Sequence, residues 1–499
     1  GLSGALGHDP SAALYIDNEL VAAAEEERFI RDKHAKGRMP YHSARFCLEY
    51  AGVKPEQVDV VAIPFAPIPL SSPARWHYAR RYWYAPDRAL DALVNGNRRY
   101  RRYRNRILGV LRELGIDPAR VVLDGEYKVM GMAPYGDSSK YDFSRLIDFD
   151  GRDFKVNTKL VNTVGLRRYK QDGVGFYFSP KLVEWLGPKR EGDIADEPYV
   201  DYAAVIQALY EEVVLKLMDY YLGDILRETG QLVFSGGGAL NVKLNQKIIA
   251  RPEVQHLWVQ PASGDAGTAV GAASYALVQR GIQPDPMKHV YLGPKYSNED
   301  CIAACDDHEA KPQYRVIDKV PERIAEILVA GNPVAWFQGR MEFGPRALGG
   351  RSILGCPSAS GVADRINEQI KFRERWRPFC PSMLDRVAPE MFKIDHPAPF
   401  MTFTFEVKDE WKDRVPEVVH EDGTARAQAL EREYNPRYYA LMEEMEKLTG
   451  NGVVLNTSLN RRGEPMVCSP TDALNMFFGS DLQYLIMEDV LVTKEGVDG

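Results

Sequence analysis

Apolar residues run together from Ala12 to Ile16 and, within Glu19–Glu25, from Leu20 to Ala24, with Asp17-Asn18 between the two stretches. Two short apolar runs separated by a polar turn pair predict strand, turn, strand. Ser43–Ala51 (SARFCLEYA) reads as a helix. VDVVAIP then reads as a buried strand, ended by Pro64, Pro67, Pro69 and Pro73. The longest helical pattern, with apolar residues at three- and four-residue steps, runs from Val200 to Thr229. After it come strand QLVFSGGG, a helix from near Ala239, strand HLWVQP, and the loop ASGDAGTAVGAA opening another helix. The periodicity lapses over 285–315, which places a boundary between domains 1–305 and 306–499. A second alternation begins with helix PERIAEILVAG and strand PVAWFQG. Strands interleaved with helices predict an α/β architecture.

Composition narrows the function classes. A chain of 499 residues, 45% apolar and 27% charged, is globular and long enough for two or three domains. The net charge of −7 speaks against a general nucleic-acid or membrane-surface binder. No run of about 18 apolar residues is present to span a membrane, and GLSGALGHDPSAAL lacks the regions of a secretory signal. Six scattered cysteines fit reduced thiols in a cytoplasm. Cys301 and Cys305, one helical turn apart with no second pair nearby, are expected to pack rather than to bind zinc. Residues 75–106 depart from the acidic average, interleaving ten arginines with tyrosine and tryptophan. Such a stretch can stack bases and hold phosphates, or it can form a cationic helical flap over a pocket; the acidic total favours the flap. Trp76 and Trp83 are its candidate acceptor contacts. No motif speaks to oligomeric state.

Several short segments could carry chemistry. SGGGALN (Ser235–Asn241) sits between a strand and a helix, where Gly236, Gly237 and Gly238 would let a ligand approach backbone and the helix N-terminus favours an anion; it could also be a tight turn. In GDAGTAVGAA, Asp265 is a metal ligand or a helix cap. In GHDPSAAL, His8 and Asp9 could form a general-base dyad, although the ordinary reading of such a histidine is a solvated one. MEFGPRALGGRSIL (Met341–Leu354) holds Arg346 and Arg351 over the bare backbone of Gly349 and Gly350, with Ser352 following. In IKFRERWRPFCPS, Lys371 and Arg373 would share one face of a strand, with Arg377 further on; two cations on one face repel unless an anion joins them. LNTSLNRRGEP offers Asn456, Ser458 and Asn460, either to phosphate oxygens and a ribose or to an Asx/ST turn.

In this order, GHDPSAAL, AAAEEERFIRDKH, GEYKVMGMAPYG, SGGGALN, GDAGTAVGAA, MEFGPRALGGRSIL, IKFRERWRPFCPS, HEDGTARAQ and LNTSLNRRGEP resemble the O-carbamoyltransferase family of nodulation, cephem and aminoglycoside carbamoyltransferases. The resemblance implies an N-terminal half of the actin-like ATPase fold, like the universal tRNA threonylcarbamoyl transferase domain. It implies a C-terminal α/β half like the domain that makes threonylcarbamoyl-adenylate, in which a Lys-x-Arg and a Ser-x-Asn hold the nucleotide. Lys371, Arg373, Ser458 and Asn460 match those positions. ATP and carbamoyl phosphate would form carbamoyl-adenylate there, beside Arg346, Arg351, Ser352, Arg377 and Asn456, with Mg bound to the ATP. The adenylate would move to the N-terminal half, near SGGGALN, Asn241 and Lys128, where a hydroxyl of a small molecule attacks with His8 and Asp9 as base. The family's iron, Fe(II) or another divalent metal, takes ligands from a His-His-x-x-His stretch; here RVVLD, ending at Asp124, abuts Gly125 where that stretch would lie, and Asp265 alone carries over. Two further readings are a fused tRNA threonylcarbamoyl-adenosine enzyme and a non-catalytic nucleotide-binding module.

Overall fold

The computed structural model describes residues 1–4, 9–64, 76, 80, 96–116, 121–122, 138–157, 159–161, 179–187, 198–372 and 377–494. The expected junction at Asp124–Gly125 lies outside them, as do His8, Trp83, Lys128 and Arg373.

β1 (Ser11–Ile16) and β2 (Glu19–Glu25) pair antiparallel across the Asp17-Asn18 turn, as the two apolar runs about that turn predict. β2 runs directly into α1 (Glu26–Ile30). Both faces of the hairpin are covered. Ala12 and Ala22 pack on Ala44, Cys47 and Leu48 of α2 (Tyr41–Ala51), and Ala13 and Ala23 on Ala269, Val270 and Phe343. β3 (Val61–Ala62) precedes α3 (Gly96–Leu114), the helical end of the arginine-rich stretch. Its Ile107, Leu108 and Leu111 join the α2 core. β4 (Val121–Val122) pairs parallel with β3, and β5 (Ile147–Phe149) forms a hairpin with β6 (Phe154–Val156).

α4 (Pro180–Leu186) packs on the start of α5 (Tyr199–Thr229). Gly230 ends α5 at φ 64°, donating its N–H to Leu226 O in the left-handed cap that glycine adopts without strain. β7 (Gln231–Phe234), α6 (Val242–Ile249) and β8 (His256–Val259) make a parallel strand–helix–strand unit, and α7 (Thr268–Val278) follows.

The C-terminal half is built on one mixed sheet. Its chain order begins with α8 (Asn298–Asp307), β9 (Gln313–Val316), α9 (Val320–Val329), β10 (Val334–Phe337) and β11 (Arg351–Gly355). β12 (Cys380–Leu384) follows, then the side hairpin of β13 (Thr404–Glu406) and β14 (Thr424–Arg426), and β15 (Gln428–Leu430). The chain closes through α10 (Pro436–Thr449), β16 (Val453–Ser458), α11 (Pro470–Phe478), β17 (Tyr484–Met487) and β18 (Val490–Thr493). Across the eight strands the order is β15-β12-β16-β11-β10-β17-β18-β9. Every residue of β10 is fully buried, which is why VAWF reads as an unbroken apolar run.

α8 straddles the boundary placed at 305/306. It packs on α11 and β18, and Asn298 exchanges hydrogen bonds with Asp489. Cys301 and Cys305 turn into that core as expected, and burial pushes their thiols up to about 12 and about 11. The two halves share an apolar core in which Leu244 and Ile248 of α6 join the C-terminal sheet. Polar links reinforce it: Asn245 Nδ2 donates to Thr402 O at 2.8 Å, Lys243 pairs with Asp422, and Arg31 with Asp472 at 3.4 Å. No helix of the described residues is long and apolar enough to cross a membrane.

Candidate active site

Glu342, almost fully buried, organises residues 344–351. Its Oε1 accepts the N–H groups of Leu348 at 2.7 Å, Gly350 at 2.6 Å and Arg351 at 3.2 Å. This loop does not leave its glycines open to a ligand. A Cβ on Gly349, at φ 99°, would lie 2.1 Å from the Tyr438 ring, and one on Gly350 would meet Arg340 O at 2.9 Å. Protein, not ligand, fills the space they leave.

The two arginines part company. Arg351 has no exposed surface, and its guanidinium donates to the carbonyls of Gln338, Gly339, Gly350 and Pro294 at 2.9–3.2 Å, over the Phe337 ring. It therefore does not join an anion clamp, contrary to the sequence expectation. Ser352 is also buried, accepting the Gly349 N–H at 3.2 Å. Arg346 makes no hydrogen bond or ion pair among the described residues. Burial, and then neighbouring Arg426, pull it down to about 9. Arg426 donates Nε–H to Cys380 Sγ at 2.9 Å. Burial and Arg426 also hold His420 down to about 4. Asn456 stands beside this pair, its Nδ2 donating to Ala347 O and Ser382 Oγ, while its buried Oδ1 accepts no protein hydrogen bond. The two guanidinium groups thus stand close together, and no carboxylate among the described residues forms an ion pair with either.

Lys371 is not on a strand. It caps the π-helical turn Ile366–Ile370, and the chain turns at φ 49° at Phe372, while residue 373 lies outside the described residues. The turn brings its Nζ to Ser458 O at 2.6 Å, Ser458 Oγ at 3.1 Å and Asn460 Oδ1 at 2.9 Å. Ser458 in turn donates to Asn460 at 2.6 Å. Three of the expected residues meet here; Arg377 is exposed, its carbonyl taken by Asn367.

Ser458 and Asn460 also line a cavity of about 130 Å³ between the halves, with Asp9, Lys33, His34, Asp265 and Glu464 opposite. Asp9 finds its partner in His34 rather than in the adjacent histidine of the sequence. His34 Nδ1 lies 2.8 Å from Asp9 Oδ1, and Asp9 N–H donates to His34 O at 2.8 Å. Behind them is a buried charge network. Arg28 reaches Glu27 at 2.5 Å, Glu25 at 3.2 Å and Gly344 O at 3.1 Å, and Gly344 N–H returns to Glu25 at 2.9 Å. Burial raises the Glu25 carboxyl despite Arg28.

SGGGALN lies next to this cavity through Leu240. Gly236 turns at φ 93° and Gly237–Leu240 forms a 3₁₀ turn. Gly238 is needed for packing, since a Cβ there would sit 2.3 Å from Tyr210 OH. Asn241 is buried, capping α6 through Leu244 N–H and exchanging two amide hydrogen bonds with Gln207. Trp76 is helical and 56% exposed.

Among the described residues, the donors at the cavity do not make the His-rich iron site that the resemblance implies. Asp265 lines the cavity with His34, whose ring is engaged by Asp9, while Glu27 is engaged by Arg28 and the His34 N–H. Sequence reasoning named neither Arg426 and His420, which lie inside the quoted HEDGTARAQ, nor His34, at the end of AAAEEERFIRDKH. Their only local signal is a cation or imidazole within a motif.

Sequence models described as Carbamoyltransferase N-terminus and Carbamoyltransferase C-terminus match residues 105–274 and 325–494. An uncharacterized protein of Synechocystis, sll1178, is 31% identical over 98% of this chain and 95% of its own. That alignment covers 597 positions against 499 residues here, so the relative carries stretches without a counterpart in this chain. Nodulation protein NolNO of Sinorhizobium fredii is 31% identical over 98% of this chain and 79% of its own. Nodulation protein NolO of Bradyrhizobium diazoefficiens is 34% identical over 74% and 66% respectively. This chain belongs to the carbamoyltransferase family and is a carbamoyltransferase enzyme.

Proposed function

We propose an ATP-dependent O-carbamoyltransferase, with an N-terminal half of the actin-like ATPase type and a C-terminal half that makes carbamoyl-adenylate. The observation that carries this reading is Arg346 beside Arg426, neither of which has an ion-pair partner among the described residues. Such a pair is stabilised by a phosphorylated substrate, and carbamoyl phosphate and ATP bring several negative charges to one place. Carbamoyl phosphate loses its phosphate to water, the resulting carbamate oxygen bonds to the α-phosphorus of ATP, and pyrophosphate leaves. Lys371, held by Ser458 and Asn460, offers its ammonium to the nucleotide phosphates. The cavity between the halves then presents the adenylate to the hydroxyl of a small natural-product acceptor.

The test is pyrophosphate release from ATP by the full chain. It is expected to depend on carbamoyl phosphate, to be indifferent to threonine, and to fall at least about 100-fold in Arg346→Ala. Undiminished release by that variant defeats the proposal.

A further inference from the structure

We infer that His34 takes the proton from the attacking hydroxyl, with Asp9 as its positioning residue; this rests on the transfer reaction proposed above. Asp9 grips His34 twice, backbone to backbone and carboxylate to ring, each at 2.8 Å. A carboxylate only accepts, so the neutral ring carries its proton on Nδ1 and keeps the lone pair on Nε2. That is the tautomer a general base needs. The ring is fixed from behind as well: His34 N–H donates to Glu27 Oε2 at 2.5 Å, and Glu27 is pinned by Arg28. Asp9, His34 and Ala35 hold φ values of 52°, 65° and 40°. Non-glycine residues persist there only where their surroundings over-determine them, a condition met most often at working sites.

The ring is nevertheless accessible. Its side chain is 43% exposed and borders the cavity that Ser458 and Asn460 border from the other half. At about 130 Å³ this cavity is below the roughly 300–1,000 Å³ of whole-ligand pockets. It admits reacting ends, a carbamoyl group and a hydroxyl, rather than a whole nucleotide. The charged groups around it are Asp9, Glu25, Glu27, Arg28, Lys33, Asp265 and Glu464. In the step, the hydroxyl oxygen bonds to the carbamoyl carbon. The bond from that carbon to AMP breaks with its electron pair on the AMP phosphate. The hydroxyl proton passes to His34 Nε2 and then to solvent.

The experiment uses the full chain with ATP and carbamoyl phosphate, and water as the hydroxyl acceptor. First-turnover pyrophosphate release reports adenylate formation, and AMP release reports transfer. His34→Gln should leave the first unchanged and lower the second about 100- to 1,000-fold. Asp9→Asn should lower AMP release less and change its pH profile, and added imidazole should restore part of it to His34→Ala. AMP release within about twofold of the unaltered chain in His34→Gln, with an unchanged pH profile, overturns the assignment. If the unaltered chain releases no pyrophosphate, the transfer reaction itself fails. Diethyl pyrocarbonate then decides the dyad. It should acylate His34 ahead of the other histidines and do so more slowly in Asp9→Asn; equal labelling rates overturn the assignment.

Discussion

His420 has a stability consequence that can be signed. Its imidazole falls from an ordinary 6.5 to about 4 through burial and Arg426, so the unfolded chain binds the extra proton between those values. His420 therefore contributes stability fully above about pH 6.5, and that contribution drains away toward pH 4, on the order of 1–3 kcal/mol given its partial exposure. Denaturation midpoints at pH 7 and pH 4.5 should differ less in His420→Gln than in the unaltered chain. Arg346 predicts an opposite pairing of stability and function. Arg346→Leu removes a cation repelled by Arg426, so its melting temperature without ligand should equal or exceed that of the unaltered chain. The rise in melting temperature on adding carbamoyl phosphate should vanish with it. Scanning fluorimetry reads both. Arg346 and Arg351 look interchangeable in MEFGPRALGGRSIL; what separates them is the Pro294 carbonyl, 57 positions away, and no local pattern announces it.

At the scale of elements, apolar runs bounded by turn residues and helices of regular spacing were legible. β1, β2 and β10 fall on such runs, and α5 and α9 fall where the three-four spacing places them. What escaped were segments whose shape follows a tertiary partner. Lys371 reads as strand because basic and aromatic residues alternate around it, yet a π-helical turn carries it to Ser458. Glu26–Arg28 are buried although all three are charged, because Glu26 holds His42 and Ser43 of α2 while Glu27 pairs with Arg28. SGGGALN left a ligand-facing backbone and a tight turn both open; Gly238 is shaped by α5. Gly238→Ala should destabilise the chain by about 1–3 kcal/mol through its collision with Tyr210 OH. Tyr210→Phe in the same chain should recover most of that, since the ring carbon beneath the hydroxyl stands 3.5 Å away. Urea midpoints of the single and double variants check it; no recovery would mean that the glycine serves something other than this contact.

For the whole molecule, the buried Glu25–Arg28–Glu27 network is one of the bonds between the halves, since Arg28 and Glu25 hold both the carbonyl and the N–H of Gly344. Arg28→Met leaves two buried carboxylates without their cation and should cost about 3–5 kcal/mol. Calorimetry should then resolve two transitions where the shared core otherwise enforces one. The same contact has a meaning in time. Gly344 lies 316 positions beyond Arg28 and 319 beyond Glu25. Ribosomes deliver chain from the N-terminus at roughly 5–20 residues per second, so the first half must wait on the order of tens of seconds for the loop that neutralises and seats it. During that interval its glutamates are solvated, the hairpin face of Ala13 and Ala23 lacks Phe343, and the side of the cavity that holds Asp9 and His34 has no opposing wall. The C-terminal half thus emerges after the N-terminal half and completes it, so a nascent chain cannot close the cavity between the halves before residues 458–466 have been made.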